Sequence, residues 1–169
     1  IAILFLLIFI TFPPTTLSSA TAAQRGVGTS LNSNKVVEIQ LNPFLQNDSQ
    51  TYEISDWLNL LNYDSDLQNY KDKKVVISGF AFFGDNIVKD GGEYKYYKLS
   101  RFVITCCAVD ARPVGLIVKY LDEKDIILKD KWYKVSGRFI IEKINGIETL
   151  VVDSQKAISI EQPANPYIY

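Results

Sequence analysis

Asn145-Gly146, set between Ile144 and Ile147, constrains this chain more than any other pair of residues. A type I′ turn requires positive φ at both central positions, which Asn followed by Gly tolerates at little cost. The dipeptide therefore predicts a two-residue β-hairpin, with an outgoing strand over residues 132–141 (WYKVSGRFII) and a return over 148–152. Alternating or β-branched runs predict further strands over 74–83, 94–107, 113–120 and 157–160. Residues 35–41 (KVVEIQL) read as a first strand or extended edge, ended by Asn42-Pro43. Gly79 and Gly137 fall in mid-strand, where a chain bends sharply or another backbone comes close. Between the edge and the main strands, Trp57, Leu58, Leu60 and Leu61 recur at helical spacing behind a candidate cap, Ser55. That stripe predicts a short helix docked on a core, and residues 121–130 (LDEKDIILKD) read as a polar-rimmed helix or loop.

The expected fold class is mainly β. Five strands, coiling glycines and a helical insertion after the third strand suggest a small OB-like barrel with a short N-terminal helical segment. Closure into a barrel also removes exposed strand edges. A two-sheet sandwich built from the same strands is the alternative.

The head of the chain follows a different logic. Residues 1–12 (IAILFLLIFITF) have no polar face to show to water, and Pro13-Pro14 ends the run. As a helix it spans about 18 Å, short of the roughly 30 Å of a bilayer core. It is therefore expected to be the C-terminal part of a truncated transmembrane helix, residues 1–14. The h-region of a signal peptide is the second reading, since Ala20-Thr21-Ala22 offers a cleavage pattern. Residues 15–34 are small, polar and nearly uncharged, which reads as a linker, and residues 35–169 then form one soluble domain. Arg25 is the linker's only charge, so the positive-inside bias favours an extracytoplasmic domain. Asn47-Asp48-Ser49 fits a glycosylation sequon.

Composition removes several function classes. The chain has no histidine, the commonest general base and metal ligand, and a net charge of −1 gives no field for nucleic acid. Tyr94, Tyr96, Tyr97 and Tyr120, interleaved with lysines, match a half-buried strand better than a base-stacking platform. Nucleic acid is thus excluded as a partner, and no catalytic constellation or cofactor motif stands out.

The densest chemistry lies in residues 101–115 (RFVITCCAVDARPVG). On a regular strand Phe102, Ile104 and Cys106 would face the core, and Arg101, Thr105 and Cys107 would line an accessible face. The following turn would bring Asp110 and Arg112 near it. These five residues form the candidate binding site: either an ion-pair brace of Arg101, Asp110 and Arg112, or a site where two guanidiniums grip an oxyanion. Adjacent strand cysteines point apart, which argues against metal.

The runs RFVITCCAVDARPVGLIV, KKVVISGFAF and WYKVSG, the ending IEQPANPYIY and the upstream PPTTLSSATAAQRG together resemble the YcgQ-like family of uncharacterised membrane proteins. Members of that family are described as subunits of a two-component permease. The resemblance implies a cell-membrane location, earlier membrane helices before Ile1, and a multi-spanning permease as partner. It makes the domain an accessory module of a transporter. A free-standing extracytoplasmic domain binding an anionic ligand or lipid is the alternative.

Overall fold

The computed structural model describes residues 17–28, 52–84, 89–90, 93–120 and 126–169. The apolar head, the strand expected over 35–41 and the sequon at Asn47 lie outside the described residues. No helix among the described residues is long and apolar enough to cross a membrane.

The chain is mainly β. Helix α1 spans Ser19–Arg25 and helix α2 spans Ile54–Tyr63, and they are followed in sequence by strands β1 Lys74–Phe82, β2 Lys89–Asp90, β3 Glu93–Tyr94, β4 Tyr96–Val103, β5 Arg112–Lys119, β6 Trp132–Ile144, β7 Ile147–Ile160 and β8 Tyr167–Ile168. Six strands form one sheet in the order β1-β6-β7-β5-β4-β8, and β1 also pairs with β4. That extra pairing closes β1, β6, β7, β5 and β4 into a ring. All its pairs are antiparallel except β5 with β7.

The hairpin forms where the sequence places it. Asn145 and Gly146 have φ of 51° and 84°, the two positive values a type I′ turn needs. The return strand is longer than expected: β7 runs unbroken from Ile147 to Ile160, joining the segments expected at 148–152 and 157–160. Asp153, Gln155 and Lys156 are exposed while Ser154 is buried. The polar stretch that reads as a break is therefore a strand with one wet face. A register shift at Ser136/Gly137 absorbs an extra residue on β7, and it lies where Gly137 brings the two backbones close.

Alternate residues of the ring point into one core. Val75, Ile77, Leu99, Leu116, Val118, Val135, Phe139 and Val152 lie there with Ile54, Trp57 and Leu58 of α2. Trp57 sits edge-on to Phe139, with ring centroids 4.9 Å apart. The expected amphipathic helix is present, but Ser55 is not its cap. Glu53 accepts from the backbone of Asp56, whose carboxylate accepts from the Glu53 N–H at 2.8 Å, a reciprocal capping box.

A second cluster occupies the other face: Phe80, Phe82, Phe102, Ile104, Ala111 and Trp132, covered by Ala22 of α1. Here the reading of 15–34 as a linker needs correction over residues 17–28. Ala22 is fully buried, and Ser19 donates to the Asp130 carboxylate from its N–H at 2.6 Å and its hydroxyl at 2.8 Å. Gly28 pairs with Val114 as an isolated bridge. Lys98 Nζ donates to the Val27 carbonyl at 2.8 Å. The stretch reads as a linker because its own side chains are small. The apolar surface that holds it belongs to the strands, and small residues are what let a helix backbone approach Phe and Trp rings closely.

Candidate functional site

β4 ends at Val103, not at Cys107. Ile104 is still held, its N–H donating to the Ile168 carbonyl at 2.8 Å, and its side chain is buried in the second cluster with Ala111. Ala111 O accepts from the guanidinium of Arg25. Two buried anchors therefore bracket residues 105–110. Between them the Asp110 carboxylate takes the place of a neighbouring strand, accepting from the N–H of Thr105 at 3.2 Å and of Cys106 at 2.7 Å. A short 3-10 turn over Ala108–Asp110 returns the Asp110 N–H to the Cys107 carbonyl at 3.0 Å. Side-chain carboxylates that satisfy nearby amides in this way pull the backbone out of regular structure.

The expectation that Cys106 faces the core and Cys107 the surface fails with the strand that carried it. Both cysteines are exposed, and their sulfurs lie 3.6 Å apart. Cys106 Sγ, Cys107 Sγ and an Asp110 carboxylate oxygen all fall within 4.8 Å of one another. Adjacent thiols diverge on a regular strand. On this turn they converge, which removes the geometric objection to a shared ligand.

The two thiols have unlike electrostatics. The Cys106 S–H bonds first to Asp110 and then to Cys107, and its pKa is pushed up to about 12. Cys107 moves the opposite way, because the Val109 N–H, the Cys106 thiol and the Asp110 N–H all favour its thiolate. Asp110 is held below the usual carboxylate range, chiefly by the Cys106 thiol and then by the amides it accepts from. Since its folded pKa is depressed, its hold on the turn is complete above the ordinary carboxylate range and is lost as pH falls through the lowered value.

These shifts set an expected outcome. A water-soluble alkylating reagent at neutral pH should modify Cys107 about 10- to 50-fold faster than Cys106, the gap in thiolate fraction being partly offset by the weaker nucleophilicity of a low-pKa thiol. Cys106 should nevertheless react without unfolding, and Asp110→Asn should narrow the difference. Peptide mapping of the modified chain measures both rates. A Cys106 that reacts only in denaturant would restore the buried assignment.

The other candidates separate. Arg101 is buried and leaves the proposed cluster: Nη1 pairs with Glu53 Oε2 at 2.8 Å, and Nη2 donates to the Asn165 carbonyl at 2.6 Å. Nε reaches the Pro166 carbonyl at 3.4 Å, and the guanidinium lies 5.9 Å from the Trp132 ring centre. Arg112 is exposed at the start of β5, opposite Val103. Thr105 joins the turn through its amide. The structure thus assembles Cys106, Cys107 and Asp110 and assigns Arg101 to the scaffold. Cys106 was missed as a site member because strand alternation was carried too far. An Asp four residues after Cys106, placed to cap its amide, is the signal that marks the turn.

Residues 28–169 match the DUF1980 C-terminal domain. The chain belongs to that family. No curated protein matches it. The DUF1980 match begins at Gly28, the residue bridged to Val114, seven residues before the domain boundary expected at 35. It takes in the whole ring, the Arg101 brace and the Cys106–Cys107–Asp110 turn.

Proposed function

We propose that the ring of five strands is an OB-like barrel and that this DUF1980 domain is the binding module of a membrane permease. The module is tethered to the cell membrane by residues 1–14 and lies on the extracytoplasmic side. The strand order supports the barrel: three antiparallel neighbours, a parallel pairing of the third and fifth ring strands, and return of the fourth to the first. Such a barrel holds the 105–110 turn on rigid strands. The observation that carries a binding role is the convergence of two exposed thiols and a carboxylate there. The apolar head and the resemblance to permease subunits support the membrane partner. The paired-arginine oxyanion site loses its support with Arg101, whose guanidinium is committed to Glu53 and two carbonyls.

Affinity capture of the full chain from native membranes tests the reading. The expected result is co-purification of one multi-spanning integral membrane protein, in near-equal amount and resistant to mild detergent. Recovery of the chain with no integral membrane partner would overturn it.

A further inference from the structure

We propose that Cys106, Cys107 and Asp110 form an exchange-labile site for a thiophilic divalent cation of the zinc type, open at its fourth position. This rests on the binding-module reading and names the ligand of the same turn. The spacing of the donors fits such an ion. Two thiolates on a tetrahedral zinc, with Zn–S of about 2.3 Å, sit about 3.8 Å apart. The sulfurs here are 3.6 Å apart, and the carboxylate oxygen lies within 4.8 Å of both, so small side-chain rotations close all three on one ion.

The turn is also preorganised. Each Asp110 oxygen accepts one amide N–H, Oδ1 from Thr105 and Oδ2 from Cys106. A carboxylate has about four lone-pair positions. Two take the amides, which fix its orientation, and one holds the Cys106 S–H. That position opens to the ion when the thiol gives up its proton on binding. Fixing a ligand in this way is what outer hydrogen bonds do in metal sites generally. The anchors at Ile104 and Ala111 are buried, so the turn is built before any ion arrives.

The donor set also says what kind of site this is. Structural zinc sites are closed by four protein ligands, whereas sites with three keep a position for water or another donor. Two sulfurs and one oxygen suit zinc better than magnesium or calcium, which take oxygen ligands. The chain has no histidine, and among the described residues no further cysteine or carboxylate joins the group, which leaves the fourth position to water or a partner's donor. An exposed ion with an unfilled position is suited to being handed on, as a permease module requires, and not to holding a fold together.

The test uses the full chain in detergent, reduced with a non-thiol reductant and titrated with zinc against a chromophoric chelator. The expected result is one equivalent bound with a dissociation constant tighter than about 1 μM. Cys106→Ser and Cys107→Ser should each weaken binding at least about 100-fold, and Asp110→Asn about 10-fold. Far-UV circular dichroism should be the same with zinc as with a strong chelator. In the unmodified chain zinc should protect both thiols from alkylation, a readout that needs no variant to fold. Absence of stoichiometric binding, or thiols that zinc leaves unprotected, overturns the assignment. If the permease still co-purifies in that case, the module reading stands alone. If zinc binds but no membrane partner appears, the metal site stands and the module reading falls.

Discussion

Gly137→Ala should destabilise the domain by about 3 kcal/mol or more, at the upper end of what overpacking costs. A Cβ on Gly137 would lie 2.1 Å from the Asp153 carbonyl oxygen, 2.9 Å from its carbon and 3.2 Å from Ser154 Cα. All three are backbone atoms of β7 in its central stretch. No flexible side chain can swing aside, so the methyl group must push the β6–β7 ladder apart at its register shift. Gly79 makes a similar close approach to β4, 2.6 Å from the Ser100 carbonyl oxygen, beside the β1–β4 pairing that closes the ring. Gly146→Ala is the control, because its added Cβ meets nothing within 4 Å and the cost is only that of the positive φ, 84°, about 1 kcal/mol. Urea titration followed by tryptophan fluorescence measures both, since the chain's two tryptophans, Trp57 and Trp132, are buried. Equal midpoints for the two variants would mean that the ring yields at Gly137.

Both glycines could be placed from the sequence because a glycine inside a β-branched run weakens the strand unless a bend or a close backbone approach requires it. The Asn145-Gly146 turn and the α2 stripe were legible for the same reason: a local pattern with one physical solution. What escaped was set by contacts distant in sequence. Nothing within residues 17–28 shows that Phe80, Phe102 and Trp132 form a patch needing cover, so a docked helix reads as a linker. The unbroken β7 escaped because Asp153 and Lys156 look like a stop unless the solvated face of the strand is known. The candidate site in residues 101–115 was drawn on strand geometry that the segment does not keep beyond Ile104. Alternation is a rule for paired strands, and from Thr105 onward the partner strand is replaced by the Asp110 carboxylate, on a turn that leaves both thiols exposed. A one-dimensional pattern does not show where the pairing ends.

Arg101→Ala is expected to lower stability by about 2–4 kcal/mol while leaving the zinc affinity of the Cys106–Cys107–Asp110 turn within about twofold. Arg101 is only 5% exposed, and its guanidinium joins three parts of the chain: the α2 cap through Glu53, the C-terminal tail through Asn165 and Pro166, and β6 through the face of Trp132. Truncation leaves two carbonyls without their charged donor and a void beside the indole. The void beside the buried indole is not refilled, whereas Asn165 is exposed and Pro166 half-buried, so water recovers part of what their carbonyls lose. The Glu53 carboxylate is a different case. Its side chain is 57% exposed, so it rehydrates when the arginine is gone, and Glu53→Gln alone should cost about 1 kcal/mol or less. The asymmetry separates a brace from a binding site. A ligand-gripping arginine would tolerate truncation in the unliganded protein, and stability would drop only relative to the liganded form. A bracing arginine loses stability in every condition, and Arg101→Lys recovers little, because an ammonium cannot reach Glu53, Asn165 and Pro166 at once. Denaturant midpoints of Arg101→Ala, Arg101→Lys and Glu53→Gln, taken beside zinc titrations, decide it. An Arg101→Ala chain that keeps the wild-type midpoint and loses ligand binding would move this residue from the scaffold to the site.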